Sequence, residues 1–167
     1  KTEHIFNLVQ GGTCYFLSRP RRFGKSMLLS TLEAYFQGKK HLFKGLAIER
    51  LEKDWVEYPV FHLDFSGADY TNPSMLMERL NYCLIQWEEI YGKNEAEVSP
   101  GDRLYGVISR AKEQTGKQAV LLIDEYDKPL TDTIGLQEIQ DANRNLLQGV
   151  YGIMKRADRF IRFAFLT

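Results

Sequence analysis

Apolar and polar positions along the chain alternate between short runs suited to strands and longer stripes suited to helices. Thr13 to Ser18 is a β-branched and aromatic run ending just before Pro20, which predicts a buried strand. From Gly24 the apolar residues Leu28, Leu32, Tyr35 and Phe36 recur at helical spacing, and Gly38 supplies a stop. Leu42 to Leu51 is short and mixed and predicts no element. Pro59 to Phe65 has strand composition and ends at Ser66-Gly67. Asn72 as cap and Pro73 at the first helical position then open a helix with a face of Leu76, Leu80, Cys83, Leu84 and Trp87. Ser99-Pro100 repeats that opening, with Leu104, Ile108 and Ala111 as the stripe and Gly116 as the C-cap.

Ala119 to Ile123 is an apolar run closing on Asp124-Glu125, the profile of a central parallel strand buried on both faces. A helix from about Leu136 to Ala157 carries Ile139, Leu146, Val150 and Ile153, and Ile161 to Leu166 forms a fourth strand ending at Thr167. The predicted order is β-α-β-α-α-β-α-β. Strands alternating with helices imply an α/β fold of three layers, a parallel sheet covered on both faces, with ligands bound beyond the strands' carboxyl ends. The functional residues are therefore expected just after the strands.

Composition agrees with one globular domain over residues 1–167, since 44% of the residues are hydrophobic and the aromatic set is 2 Trp, 9 Tyr and 10 Phe. No apolar run approaches the roughly 20 residues that span a bilayer, so no membrane partner is expected. The N-terminus has neither the apolar run of a signal peptide nor the Arg-rich character of a transit peptide. Cys14 and Cys83 stand apart, outside any CxxC pair, so a disulfide framework or zinc site is not indicated and a reducing cytoplasm is the default location. The formal net charge is zero, yet it hides opposed regions: residues 1–45 hold eight Lys and Arg against Glu3 and Glu33. The basic part contains the first chemical signal, and the acidic remainder contains the second.

Directly after the first strand, Arg19-Pro-Arg-Arg-Phe-Gly24-Lys25-Ser26 fills the last three positions of the G-x-x-x-x-G-K-[ST] phosphate loop, with Arg19 in place of its first glycine. Gly24 lets the backbone pass close to a phosphate, and the amides opening the helix present donors and positive dipole to it. The candidate nucleotide-binding run is Arg22, Phe23, Gly24, Lys25, Ser26 and Met27. Within it Lys25 would reach the β- and γ-phosphates and Ser26 would bind Mg²⁺. Pro20 removes one amide donor, and Arg21 and Arg22 fit contact with a triphosphate, contact with a nucleic-acid backbone, or a solvated loop.

The second signal is Val120-Leu-Leu-Ile-Asp124-Glu125, four apolar residues followed by two carboxylates, as in the Walker B element of P-loop NTPases. Asp124 would hold the Mg²⁺, and Glu125 would polarise the water that attacks the γ-phosphate. Phosphoryl transfer needs little covalent help, so one metal anchor and one water-orienting base suffice. Thr167 would be a polar sensor of the γ-phosphate or the water. Asp127 and Lys128 are explained by a solvated turn before Pro129, and Arg144 is a weaker candidate for a charge-stabilising arginine.

With these residues in place the chain resembles the bacterial AAA-ATPase-like family. The resemblance rests on Tyr15-Phe-Leu-Ser-Arg-Pro-Arg-Arg-Phe-Gly-Lys-Ser26, Leu32-Glu-Ala-Tyr-Phe36, Tyr58-Pro-Val, Leu63-Asp-Phe-Ser66, Ile123-Asp-Glu-Tyr-Asp-Lys-Pro129 and Phe163-Ala-Phe-Leu-Thr167. Arg19 is part of that family's pattern. The resemblance implies a P-loop NTPase core of the ASCE type, with the sensor strand between those bearing the phosphate loop and the Walker B element. It also implies truncation after the fourth core strand, with a fifth strand, a lid and an often fused restriction-endonuclease-like domain absent.

The leading expectation is Mg²⁺-dependent ATP hydrolysis, with ATP and Mg²⁺ as cofactors. ATP is preferred over GTP because no Asn-Lys-x-Asp sequence occurs. A nucleotide-dependent switch with little hydrolysis, and an ATPase regulator of a DNA-processing nuclease, are the alternatives. A homo-oligomer, and DNA reached through a domain beyond this sequence, are the further candidate partners. His4, His41 and His62 are scattered, so a His-based hydrolase or metal site is set aside.

Overall fold

The computed structural model of the chain describes residues 1–18, 20 and 23–167. Four strands, β1 (Cys14–Phe16), β2 (Val60–Asp64), β3 (Ala119–Asp124) and β4 (Ile161–Leu166), form one sheet in the order β1-β4-β3-β2. Every neighbouring pair is parallel. All six residues of β3 are buried, as a strand with neighbours on both edges and helices on both faces requires.

The helices are α1 (Thr2–Gly11), α2 (Lys25–Phe36), α3 (Ala47–Leu51), α4 (Met75–Tyr91), α5 (Pro100–Thr115), α6 (Lys128–Thr131) and α7 (Gln137–Arg156). Alternation along the strands sends side chains to two separate cores. Val120, Leu122, Phe163 and Phe165 pack with the aromatic-rich layer of α1, α2 and α3. Phe61, Leu63, Leu121, Ile123, Ala164 and Leu166 pack with α4, α5 and α7. The result is the expected three-layer α/β arrangement.

Three differences from the sequence pattern have physical causes. The chain opens with α1, whose buried stripe is only Ile5 and Val9, too sparse to register as a helix from periodicity. In α2 the buried residue is Leu29, with Leu28 only half-buried, a shift of one position in the stripe. Helix α4 starts at Met75 with Ser74 as N-cap, because Asn72 caps a preceding turn: its Oδ1 accepts from the Ser74 amide and hydroxyl at 3.1 Å. The second opening is as expected, with Ser99 accepting from the Asp102 amide and Gly116 closing α5 in the left-handed conformation. Gly101 is required by close approach: a Cβ there would lie 2.8 Å from the Gly149 carbonyl oxygen of α7. Among the described residues no helix is long and apolar enough to cross a membrane.

Candidate functional site

Strand β1 ends beside the end of β4, where the Leu17 amide donates to the Leu166 carbonyl at 2.9 Å. From there the chain reaches Gly24, which has φ +74° and no heavy atom within 4 Å of where a Cβ would stand. The glycine is therefore needed for its backbone conformation, not for lack of space. Gly24 is the N-cap of α2, and Lys25 and Ser26 are its first two residues. The first turn of α2 contains no acidic side chain, so its amides and positive dipole end are not offset locally.

Lys25 is half-buried, while Ser26, Phe23 and Met27 are exposed. What Phe23 and Met27 can offer an anion is therefore backbone amide, as their apolar side chains imply. Arg22, with Arg19 and Arg21, lies outside the described residues.

At the end of β3, Asp124 is 3% exposed. Its Oδ1 accepts from the Glu125 amide at 3.0 Å and from the Thr167 hydroxyl at 2.6 Å. Thr167 is tied on both sides, its amide donating to Ile123 and its carbonyl accepting from Tyr126. Glu125 is half-buried and has φ +50°, a left-handed conformation that costs a non-glycine residue about 1–2 kcal/mol.

The segment that imposes this turn is firmly held. The Tyr151 hydroxyl donates to the Tyr126 carbonyl at 2.8 Å, and burial pushes that phenol's pKa up, keeping it a donor. The Phe16 ring meets Tyr126 edge-on at 5.2 Å, joining the ends of β1 and β3. Buried Thr133 and Asn143 both donate to the Pro129 carbonyl, at 2.9 and 3.0 Å. Lys128 pairs with Asp132 and lies over the Tyr70 ring, while Asp127 is an exposed helix cap. Arg144 pairs with Asp141 on the half-exposed side of α7. These three therefore have structural or solvated roles.

Two features received no role from the sequence. Glu33 of α2 and His62 of β2 form an ion pair at 2.9 Å between the helix and the sheet. Asp64 ends β2 directly opposite Asp124. A groove of about 630 Å³ lies elsewhere, lined by residues of α4, the α4–α5 loop and Arg103 and by no strand residue.

The donor set fits a hard cation held jointly with phosphate. Ser26 and Asp124 supply oxygen, the ligand type Mg²⁺ takes, and Mg²⁺ is usually held by one or two carboxylates plus substrate phosphates. Among the described residues no group of three His, Cys, Asp or Glu side chains could hold a metal by itself.

No solved structure matches the chain. An uncharacterized protein from the vnfD 5′ region of Azotobacter chroococcum mcd 1 is 36% identical over 168 residues, which is all of this chain and 32% of that protein. The chain thus spans about a third of that relative's length. The family described as predicted AAA-ATPase matches residues 1–167. Parallel topology, the glycine-opened helix after β1 and the buried aspartate after β3 agree with that match, and the chain belongs to the AAA-ATPase-like family.

Proposed function

We propose that residues 1–167 form a P-loop core of the ASCE type that binds ATP with Mg²⁺ and hydrolyses it in the cytoplasm. The observation that carries this reading is the carboxyl edge of β3: a buried aspartate beside a glutamate held at φ +50°. Strained conformations persist where the surroundings over-determine them, and they cluster at functional sites. The strand order, with β4 between β1 and β3, supports the same reading.

In this assignment the α2 amides and the Lys25 ammonium bind phosphate oxygens. Ser26 and Asp124 hold the metal, and Thr167 orients the Asp124 carboxylate through its hydroxyl. Glu125 orients the attacking water and accepts its proton. Bound Mg²⁺ supplies neutralisation of charge on the β- and γ-phosphates. Cys14 and Cys83 are free thiols, which suits a reducing compartment.

Two substitutions test the assignment. Lys25→Ala should abolish ATP binding in calorimetry. Glu125→Gln should keep binding and lower turnover by about 100-fold or more, the scale of a lost general base. Equal ATPase rates in wild type and Glu125→Gln would sink the hydrolytic role. Tight ATP binding with single-turnover hydrolysis no faster than buffer would favour a nucleotide-dependent switch.

A further inference from the structure

A second carboxylate stands beside Asp124 and has no part in the mechanism above. β2 and β3 are parallel and in register from Val60 opposite Val120 to Asp64 opposite Asp124. Both strands thus deliver an aspartate to the same height of the sheet. Alternation puts the two side chains on one face. Val60, Val120 and Leu122 pack in the α1, α2 and α3 layer, and His62 reaches Glu33 of α2. Asp64 and Asp124 come next in the same alternation, on the face covered by the helix that Gly24, Lys25 and Ser26 open.

The backbone at the end of β2 is fixed by hydrogen bonds. The Phe65 amide donates to the Asp124 carbonyl at 3.1 Å, and Arg79 Nε donates to the Asp64 carbonyl at 2.7 Å. Arg79 is the nearby cation, yet its bond goes to the backbone, and its guanidinium carbon lies 5.8 Å from the Tyr82 ring centre. The carboxylate accepts from the Ser66 amide on Oδ1 at 2.8 Å. Two carboxylates on adjacent strands and one face repel unless a cation stands near them.

We propose that Asp64 is a positioning residue of the nucleotide site, its carboxylate accepting a hydrogen bond from water on the nucleotide-bound Mg²⁺ without itself being a ligand. This rests on the ATP reading above. Outer-shell partners of this kind orient the ligands and strengthen metal binding. The charge has an opposite effect on bare ATP, because a carboxylate beside the phosphates repels them.

The test uses the full-length protein, with ATP binding followed by calorimetry in the absence of metal and Mn²⁺ binding to the ATP complex followed by electron paramagnetic resonance. Asp64→Asn keeps an acceptor for the Ser66 amide, so the turn after β2 is preserved. It should bind metal-free ATP at least as tightly as wild type. Its ATP complex should bind Mn²⁺ about 10-fold or more weakly, and Asp64→Glu should recover part of that loss. Mn²⁺ affinity within about twofold of wild type would overturn the role. Loss of metal-free ATP binding would also overturn it, by showing that Asp64 only supports the fold. If wild type binds no ATP, the ATP reading itself falls; if wild type binds Mn²⁺ and ATP and Asp64→Asn binds them equally, only the role of Asp64 falls.

Discussion

Glu88, in the seam between α4 and α5, is 7% exposed, and Asp124, at the end of β3, is 3% exposed, yet the protein treats these two carboxylates in opposite ways. Glu88 receives Arg103 in a two-point contact, Nε at 2.7 Å and Nη2 at 2.8 Å, and the remaining guanidinium nitrogen donates to Asn81 at 2.6 Å. That guanidinium holds the Glu88 carboxyl below its usual 4.5. Asp124 accepts from a hydroxyl and an amide. A buried charge is costly unless it is paired. The first carboxylate is thus joined to a full counter-charge, while the bonds described for the second come from neutral donors, as the proposed metal role requires. Burial alone does not distinguish a joint from a site; the charge of the partner does.

The contrast breaks most visibly when each acid is made neutral. Asp124→Asn can still accept from Thr167 and Glu125, so stability should change by no more than about 1 kcal/mol. ATP hydrolysis should fall by about 100-fold or more, as when one charge-stabilising group is lost. Glu88→Gln should do the reverse, leaving Arg103 without its counter-charge at a cost of about 2–3 kcal/mol, while turnover per folded molecule is kept. Because the folded pKa of Glu88 is lowered, its contribution is present above pH 4.5 and is lost as pH falls through the lower value. Glu88→Gln should therefore flatten the acid limb of the stability profile. Urea unfolding and steady-state hydrolysis on the same preparations decide the matter. Equal destabilisation with unchanged turnover in Asp124→Asn would erase the contrast.

Backbone strain sharpens it. Trp55 and Glu125 are the non-glycine residues with positive φ among those described. Trp55 sits among rings, 5.9 Å from Tyr35 and 5.2 Å from Phe43, away from the strand ends. Glu125 has no comparable packing of its own; its turn is imposed by the bonds that fix Asp124, Tyr126 and Thr167. Glu125→Gly relieves the strain but adds freedom to the unfolded chain. Stability should change between nothing and a gain of about 1 kcal/mol, with turnover abolished. A clear loss of stability would mean that the glutamate side chain is structural.

The elements that could be read in advance are those whose signal is local. β3 is an unbroken apolar run, α5 carries its own cap and stop, and Gly24-Lys25-Ser26 and Asp124-Glu125 are contiguous motifs placed after strands as expected. α1 was not legible because its burial depends on two residues, Ile5 and Val9, joining a cluster built with α3 and strands far along the chain. The Asn72-Pro73 signal was genuine but served a turn, since an asparagine caps either one. Thr167 was legible as a strand-end polar residue, but its bond to Asp124 exists only because β3 and β4 pair. Asp64 is the same case: it lies in the Leu63-Asp-Phe-Ser66 run that carries the family resemblance, but only register with β3 gives it a neighbour of like charge.

Glu33 stands between the two types, on the sheet face of Asp124 but paired as Glu88 is. His62 Nδ1 lies 2.9 Å from it, with side chains 25% and 31% exposed. The bond to Glu33 raises the His62 pKa above its usual 6.5, and the bond to His62 lowers the Glu33 carboxyl below 4.5. The His62 contribution is thus complete below pH 6.5 and lost as pH rises through the raised value. The Glu33 contribution is present above pH 4.5 and lost as pH falls through the lowered one, so the pair is strongest between those two limits. Its worth is limited, because His62 Nε2 is buried without a partner and the charged ring would leave a donor unmet. His62→Gln should therefore shrink the difference in unfolding free energy between slightly acidic and slightly alkaline buffer by about 1 kcal/mol or less. ATP affinity in calorimetry should be unchanged, which would place Glu33 with Glu88 as a joint. A fall in affinity that follows the same pH dependence would instead place it with Asp124, as part of the site that α2 carries at its other end.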